Sequence, residues 1–124
     1  MRVRCLRTAL TREELDHIGP VWPRSNFHDL VEGQTSLVFG IYTYNGAVWL
    51  RIESKSGYLY PVPVVLFEVV DARASRFWEV RFRDGDFDCA PSLLFDEYFM
   101  DDLAESVPEV VARFSELRAQ MDSE

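Results

Sequence analysis

The sequence predicts an α+β fold, an antiparallel sheet of about four to six strands with a short N-terminal helix and two C-terminal helices packed on it. Three observations lead there. Runs rich in β-branched and aromatic residues, several with period-two alternation, fill the chain from Leu37 to Arg83. An Asn45-Gly46 pair lies between two of them, and Asn-Gly is the strongest short-range hairpin signal because a type I′ turn needs positive φ at both central residues. The last third switches to helical spacing, and strands followed by helices pack as helices against an antiparallel sheet. At 124 residues the chain fits one domain, 1–124, large enough to bury a core without disulfides or metals.

Each element follows from local chemistry. Val3–Leu6 reads as a short strand. Thr11-Arg12-Glu13-Glu14 has capping-box spacing, in which the Thr11 hydroxyl and the Glu14 carboxylate satisfy backbone donors reciprocally. It opens a helix that ends near Ile18, because Gly19-Pro20 cannot continue one. Residues 19–33 hold Pro20, Pro23, Asn26 and Gly33 and read as irregular, anchored on the core by Trp22 and Phe27. Around Asn45-Gly46 a two-residue loop fixes the register. Tyr44 faces Ala47, Tyr42 faces Trp49, Gly40 faces Arg51 and Val38 faces Glu53. On the other face Thr43 meets Val48, Ile41 meets Leu50 and Phe39 meets Ile52. That second face, with Leu37, is almost purely apolar and is expected in the core. The first carries Tyr42, Tyr44 and Trp49 beside Arg51 and Glu53.

After a turn at 54–57 a strand resumes at Tyr58. Pro61 and Pro63 cannot donate to a ladder, so this stretch is an edge or a break. Val64–Val70 reads as a strand. Phe77–Arg83 alternates, with Trp78, Val80 and Phe82 expected inward, and Asp84-Gly85 closes it. Pro91–Leu103 reads as one helix whose broad face carries Leu94, Phe95, Tyr98, Phe99 and Leu103. Ser106-Val107-Pro108-Glu109 has capping-box spacing too, and it precedes Val107, Val110, Val111, Phe114, Leu117 and Met121 at helical spacing.

Charge is distributed unevenly. The net charge is -8, but residues 1–83 sum to +2 and residues 84–124 to -10. From Asp84 to Ala112 there is no basic residue, while Asp84, Asp86, Asp88, Asp96, Glu97, Asp101, Asp102, Glu105 and Glu109 fall there. Such a block repels nucleic acid and anionic membranes and attracts a cationic partner. No apolar run is long enough to span a bilayer, and no apolar stretch of a secretory signal follows the basic start. Two cysteines, Cys5 and Cys89, do not make a disulfide framework, and a cytoplasmic setting follows. A single lysine among twelve arginines fits the codon bias of a GC-rich bacterium.

Motifs for chemistry are weak. Asp84-Gly85-Asp86-Phe87-Asp88 resembles the start of a calcium loop, but Cys89 and Phe95 stand where an EF-hand needs Gly and Glu. Cys5, Cys89, His17 and His28 lack zinc-ligand spacing. Glu53-Ser54-Lys55, with Asp29 upstream, has the residue types of a restriction-type nuclease core, but a turn follows it and the net charge opposes DNA. No phosphate-binding glycine loop or nucleophile elbow is present. No catalytic residue, metal or cofactor is therefore expected.

The favoured expectation is a non-catalytic acidic protein-binding module for a basic protein partner, in the style of small bacterial immunity and inhibitor proteins that neutralise basic nucleases. Asp84, Asp86, Asp88, Asp96, Asp101 and Asp102 supply charge, and Tyr42, Tyr44 and Trp49 are the candidate anchors. One alternative is a small enzyme or ligand-binding domain built on the aromatic pocket with His17, His28, Arg51 and Glu53. Another is a homodimer formed through an edge strand or the aromatic face.

Overall fold

The computed structural model describes residues 1–18 and 27–124. Among the described residues, eight strands and three helices follow in chain order: β1 (Arg2–Cys5), α1 (Arg12–Ile18), β2 (Thr35–Leu37), β3 (Gly40–Tyr44), β4 (Ala47–Glu53), β5 (Leu59–Pro63), β6 (Phe67–Asp71), β7 (Trp78–Arg83), β8 (Asp86–Pro91), α2 (Phe99–Ala104) and α3 (Pro108–Asp122). The fold is α+β, but its strands form two antiparallel sheets, β2-β1-β6 and β5-β4-β3-β8-β7. Of the irregular 19–33 segment, Trp22 and both prolines lie outside the described residues, while Phe27 is buried.

Local chemistry explains the elements that the sequence reads correctly. The capping box at α1 is formed. The Glu14 N–H donates to Thr11 Oγ1 at 3.2 Å, and the Thr11 N–H donates to Glu14 Oε1 at 2.9 Å. Asn45 and Gly46 both take positive φ, 52° and 73°, and hold the type I′ turn. The β3–β4 pairs run from Tyr44↔Ala47 through Tyr42↔Trp49 to Gly40↔Arg51, in the expected register. Beyond Gly40 the ladder breaks. The Phe39 N–H donates to the Arg51 carbonyl, and Phe39 and Ile52 go to separate cores instead of facing each other as expected. β5 is an edge, as its two prolines require.

Four element assignments are corrected. Asp84 and Gly85 also take positive φ, 52° and 86°, so they make a second I′ hairpin, and Asp86–Pro91 is a strand where the sequence reading placed none. The expected helix over Pro91–Leu103 is broken. A 3-10 turn at Ser92–Phe95 and α2 are separated by Tyr98, whose φ of 64° is left-handed and interrupts helical geometry. Val64–Val70 likewise divides into a 3-10 turn at Val64–Leu66 and β6. The second capping box does not form. Ser106 has φ 58°, the helix starts from Val107 without a side-chain cap, and Pro108 takes the first helical position.

The five-stranded sheet carries two core clusters, away from the exposed part of β7. One cluster sets Leu50, Ile52, Tyr60 and Val62 against Val3, Cys5, Leu66 and Phe67 of the smaller sheet, with Ile18 of α1. The other sets Phe39, Leu59 and Ala90 against Phe99 and Leu103 of α2 and Phe114, Leu117 and Met121 of α3. β4 therefore loses the expected division into a core face and an aromatic surface. Ala47 and Trp49 are as buried as Leu50 and Ile52, and Val48 is exposed. The inward assignment of β7 holds at Trp78, which is half-buried against both clusters, and fails at the next two positions. Val80 is 57% exposed and Phe82 81% exposed, because the cores cover β7 only at its Trp78 end.

Candidate functional site

Part of the acidic run is engaged within the large sheet. β8 carries Asp86 and Asp88 into register with arginines that precede the run in sequence: Arg83↔Asp86 and Arg81↔Asp88. Asp88 is held more tightly still, by both guanidinium nitrogens of Arg51 at 2.6 and 2.8 Å. That guanidinium also lies 4.3 Å from the ring centroid of Tyr42. Asp86 accepts a hydrogen bond from Thr43 Oγ1 at 3.0 Å. Asp84 stays exposed in the hairpin turn. The strand's length then sets Asp84 roughly 20 Å from the carboxylates beyond Pro91.

The second acidic group surrounds Tyr98. Asp96, Glu97 and Asp101 are exposed, and Asp102 is half-buried in the first turn of α2. Asp96 has a cation nearby, Arg113 at 3.6 Å. Tyr98 itself is 65% exposed. A bulky residue in the left-handed region is strained, and strain of this kind gathers at functional positions. The expected face of the broken helix had placed Tyr98 in the core. No signal in the sequence marks its backbone as left-handed.

The three expected aromatic anchors separate. Trp49 is 1% exposed, so its ring is core and offers a partner nothing. Tyr42 is half-buried under Arg51, and burial raises its phenol pKa above the ordinary value, with Asp88 adding to this and Arg51 opposing it. Only Tyr44 is open, at 44%, beside the Asn45-Gly46 turn.

The residues of the enzyme reading are not brought together. His17 lines a concavity of about 460 Å³ with Glu13, Glu14, Val48 and Val65. Glu14 is engaged there by Arg7 and by the Thr11 N–H, which lower its carboxyl pKa to about 2. His28 is exposed on a turn. Asp29, Glu53 and Lys55 do border one small concavity of about 90 Å³, as the nuclease comparison requires. The Glu53 carboxylate, however, accepts from Arg118 of α3. Among the described residues no group of three or more His, Cys, Asp or Glu is arranged to hold a metal ion. Cys5 and Cys89 are both free thiols, with pKa values raised by burial; Asp88 adds to the rise at Cys89. No helix among the described residues is long and apolar enough to cross a membrane. Compared with known proteins, the chain matches no family model, no curated protein and no solved structure.

Proposed function

We propose that the chain is a non-catalytic binding module for a basic protein, and that its contact surface is centred on Tyr98. One observation carries the reading. An aromatic ring is held in solvent by a strained backbone, with carboxylates at 96, 97, 101 and 102 around it. Tyrosine anchors dominate protein interfaces because they combine large apolar area with a hydroxyl and few rotatable bonds. The carboxylates add long-range steering toward a cation-rich partner. An immunity or inhibitor protein that masks a basic enzyme would need these parts. Relative to the sequence reading, the charge centre moves: Asp86 and Asp88 serve the sheet, and Asp96, Asp101 and Asp102 remain with the contact surface.

Tyr98→Gly separates binding from folding. Glycine accepts positive φ freely, so the variant should be more stable than the wild type by about 1 kcal/mol in chemical denaturation. It should also lose the anchor and bind at least about tenfold more weakly. The assay is capture of basic proteins from a lysate of the source cells by immobilised wild type and variant, at low and high salt. A partner held by the wild type, released by salt and lost by the variant supports the reading. Equal capture by both forms overturns it.

A further inference from the structure

The two edges of the large sheet are built differently. β5 carries Pro61 and Pro63, which block the addition of another strand. β7, at the other end among the described residues, is six residues long, has no proline and is exposed from Glu79 to Arg83. Its backbone polarity follows from the hairpin. Beside a two-residue turn the flanking residues, Arg83 and Asp86, exchange both hydrogen bonds, and bonded pairs then alternate. Arg81 and Glu79 therefore direct their N–H and C=O groups to β8, while Val80 and Phe82 direct theirs to the open edge. Val80 and Phe82 are also the two most exposed apolar side chains of the strand, with Phe82 four-fifths in solvent.

We propose that this edge pairs antiparallel with the β7 of a second copy of the chain, about a twofold axis through Val80. The strand's own sequence selects that occupant and that register. Centred on Val80, Glu79 lies opposite the partner's Arg81 and Trp78 lies opposite the partner's Phe82, each twice by symmetry. The two neighbouring registers that also keep the outward backbone groups facing place a like pair on the axis, either Arg81 against the partner's Arg81 or Glu79 against the partner's Glu79. Only the Val80-centred register sets opposite charges face to face throughout. In it Val80 exchanges both backbone bonds with the partner's Val80, and the Phe82 N–H reaches the partner's Trp78 carbonyl. The Trp78 N–H is already given to the Ser75 carbonyl at 3.1 Å. Arg81 stands opposite Asp88 in the β7–β8 register, its guanidinium 4.0 Å from the centroid of Phe95 and 3.8 Å from Glu79 of its own strand, so the pairing extends that charge pair into a four-membered cluster across the axis. The join makes a ten-stranded sheet and covers both Phe82 rings. It is independent of the surface around Tyr98.

Sedimentation equilibrium over a range of protein concentrations tests the pairing. The wild type should show a reversible monomer–dimer equilibrium. Glu79→Arg places arginine opposite the partner's Arg81 at both symmetric positions and should weaken association about tenfold. Val80→Lys, at an exposed position that the monomer tolerates, puts two ammonium groups on the axis and should leave only monomer. Mixing Glu79→Arg with Arg81→Glu brings each arginine back opposite a glutamate, and the mixed dimer should regain wild-type affinity. Circular dichroism confirms that each variant is folded. A wild type that stays monomeric up to its solubility limit overturns the proposal, as does undiminished dimerisation of Val80→Lys.

Discussion

A single guanidinium organises the polar centre of the large sheet. Arg51 reaches across β3 to Asp88, packs on the Tyr42 ring and passes over Gly40. Gly40 is what makes room. A Cβ there would stand 2.9 Å from the Cys89 carbonyl oxygen, 3.0 Å from the Ala90 Cβ and 3.2 Å from Arg51 Nη1. Two of these neighbours belong to the β8 backbone or its first side-chain atom and cannot swing aside. Gly40→Ala must therefore push β3 from β8 and tilt the Arg51–Asp88 pair, at a cost of about 1–3 kcal/mol. Urea denaturation should show a lower midpoint at unchanged slope. A wild-type midpoint would mean that the strands separate freely and that the close approach is incidental. The sequence marks Arg51 as a neighbour of the aromatics, but Asp88 is 37 positions away, and only the β3–β8 pairing makes them partners.

At the scale of elements, α1 shows how far short-range chemistry reaches. Its seven residues are too few to be helical alone, so the cap and the Arg7–Glu14 pair matter. Glu14 has a folded pKa of about 2, below its ordinary 4.5, because Arg7 and the Thr11 N–H favour the charged form. A lowered folded value means that this contribution is present above 4.5 and fades as the pH falls toward 2. Glu14→Gln should thus melt below the wild type at neutral pH, with a gap that narrows between about pH 5 and about pH 3. Thermal scans across that range test it, and a gap independent of pH would show that the carboxylate's charge contributes nothing. The same range of chemistry made Thr11 and Asn45-Gly46 legible in the sequence: each is complete within four residues. Asp84-Gly85 carries an equivalent turn signal. It was obscured because Asp84, Asp86 and Asp88 have the spacing of a calcium loop, although Asp86-Phe87-Asp88-Cys89 alternates as a strand does. Tyr98 defeats periodicity differently: Leu94, Phe95, Phe99 and Leu103 keep helical spacing across a residue that is not helical. The acidic run was legible in composition, but the engagement of Asp88 was not, since its pairing with Arg51 is long-range and the β7–β8 register depends on the Asp84-Gly85 turn.

Across the whole molecule, the large sheet joins two cores, and α3 ties the chain's distant parts to it. The Phe114 ring packs tilted against Phe39 at 5.1 Å and Phe99 at 6.2 Å between centroids, so one ring couples the start of the β3–β4 hairpin to α2 and α3. Polar contacts extend the same helix outward. Arg118 pairs with Glu53 of β4, Asp122 accepts from Arg2 of β1 at 2.8 Å, and Glu124 accepts from Ser75 Oγ and the Arg76 N–H. Through β4 a loss in one core is felt in the other, because Glu53 faces α3 while the neighbouring Ile52 is buried with the smaller sheet. Phe114→Ala removes a fully buried ring and should cost about 3–5 kcal/mol. If the cores are coupled as this geometry requires, the destabilised protein still unfolds in one transition. Far-UV circular dichroism reports the helices, and tryptophan emission in a Trp22→Phe, Trp78→Phe background reports Trp49 in the first core; their urea curves should shift together and stay superimposable. Loss of helix signal before the tryptophan signal would mean that α3 detaches on its own, and that the first core stands without it.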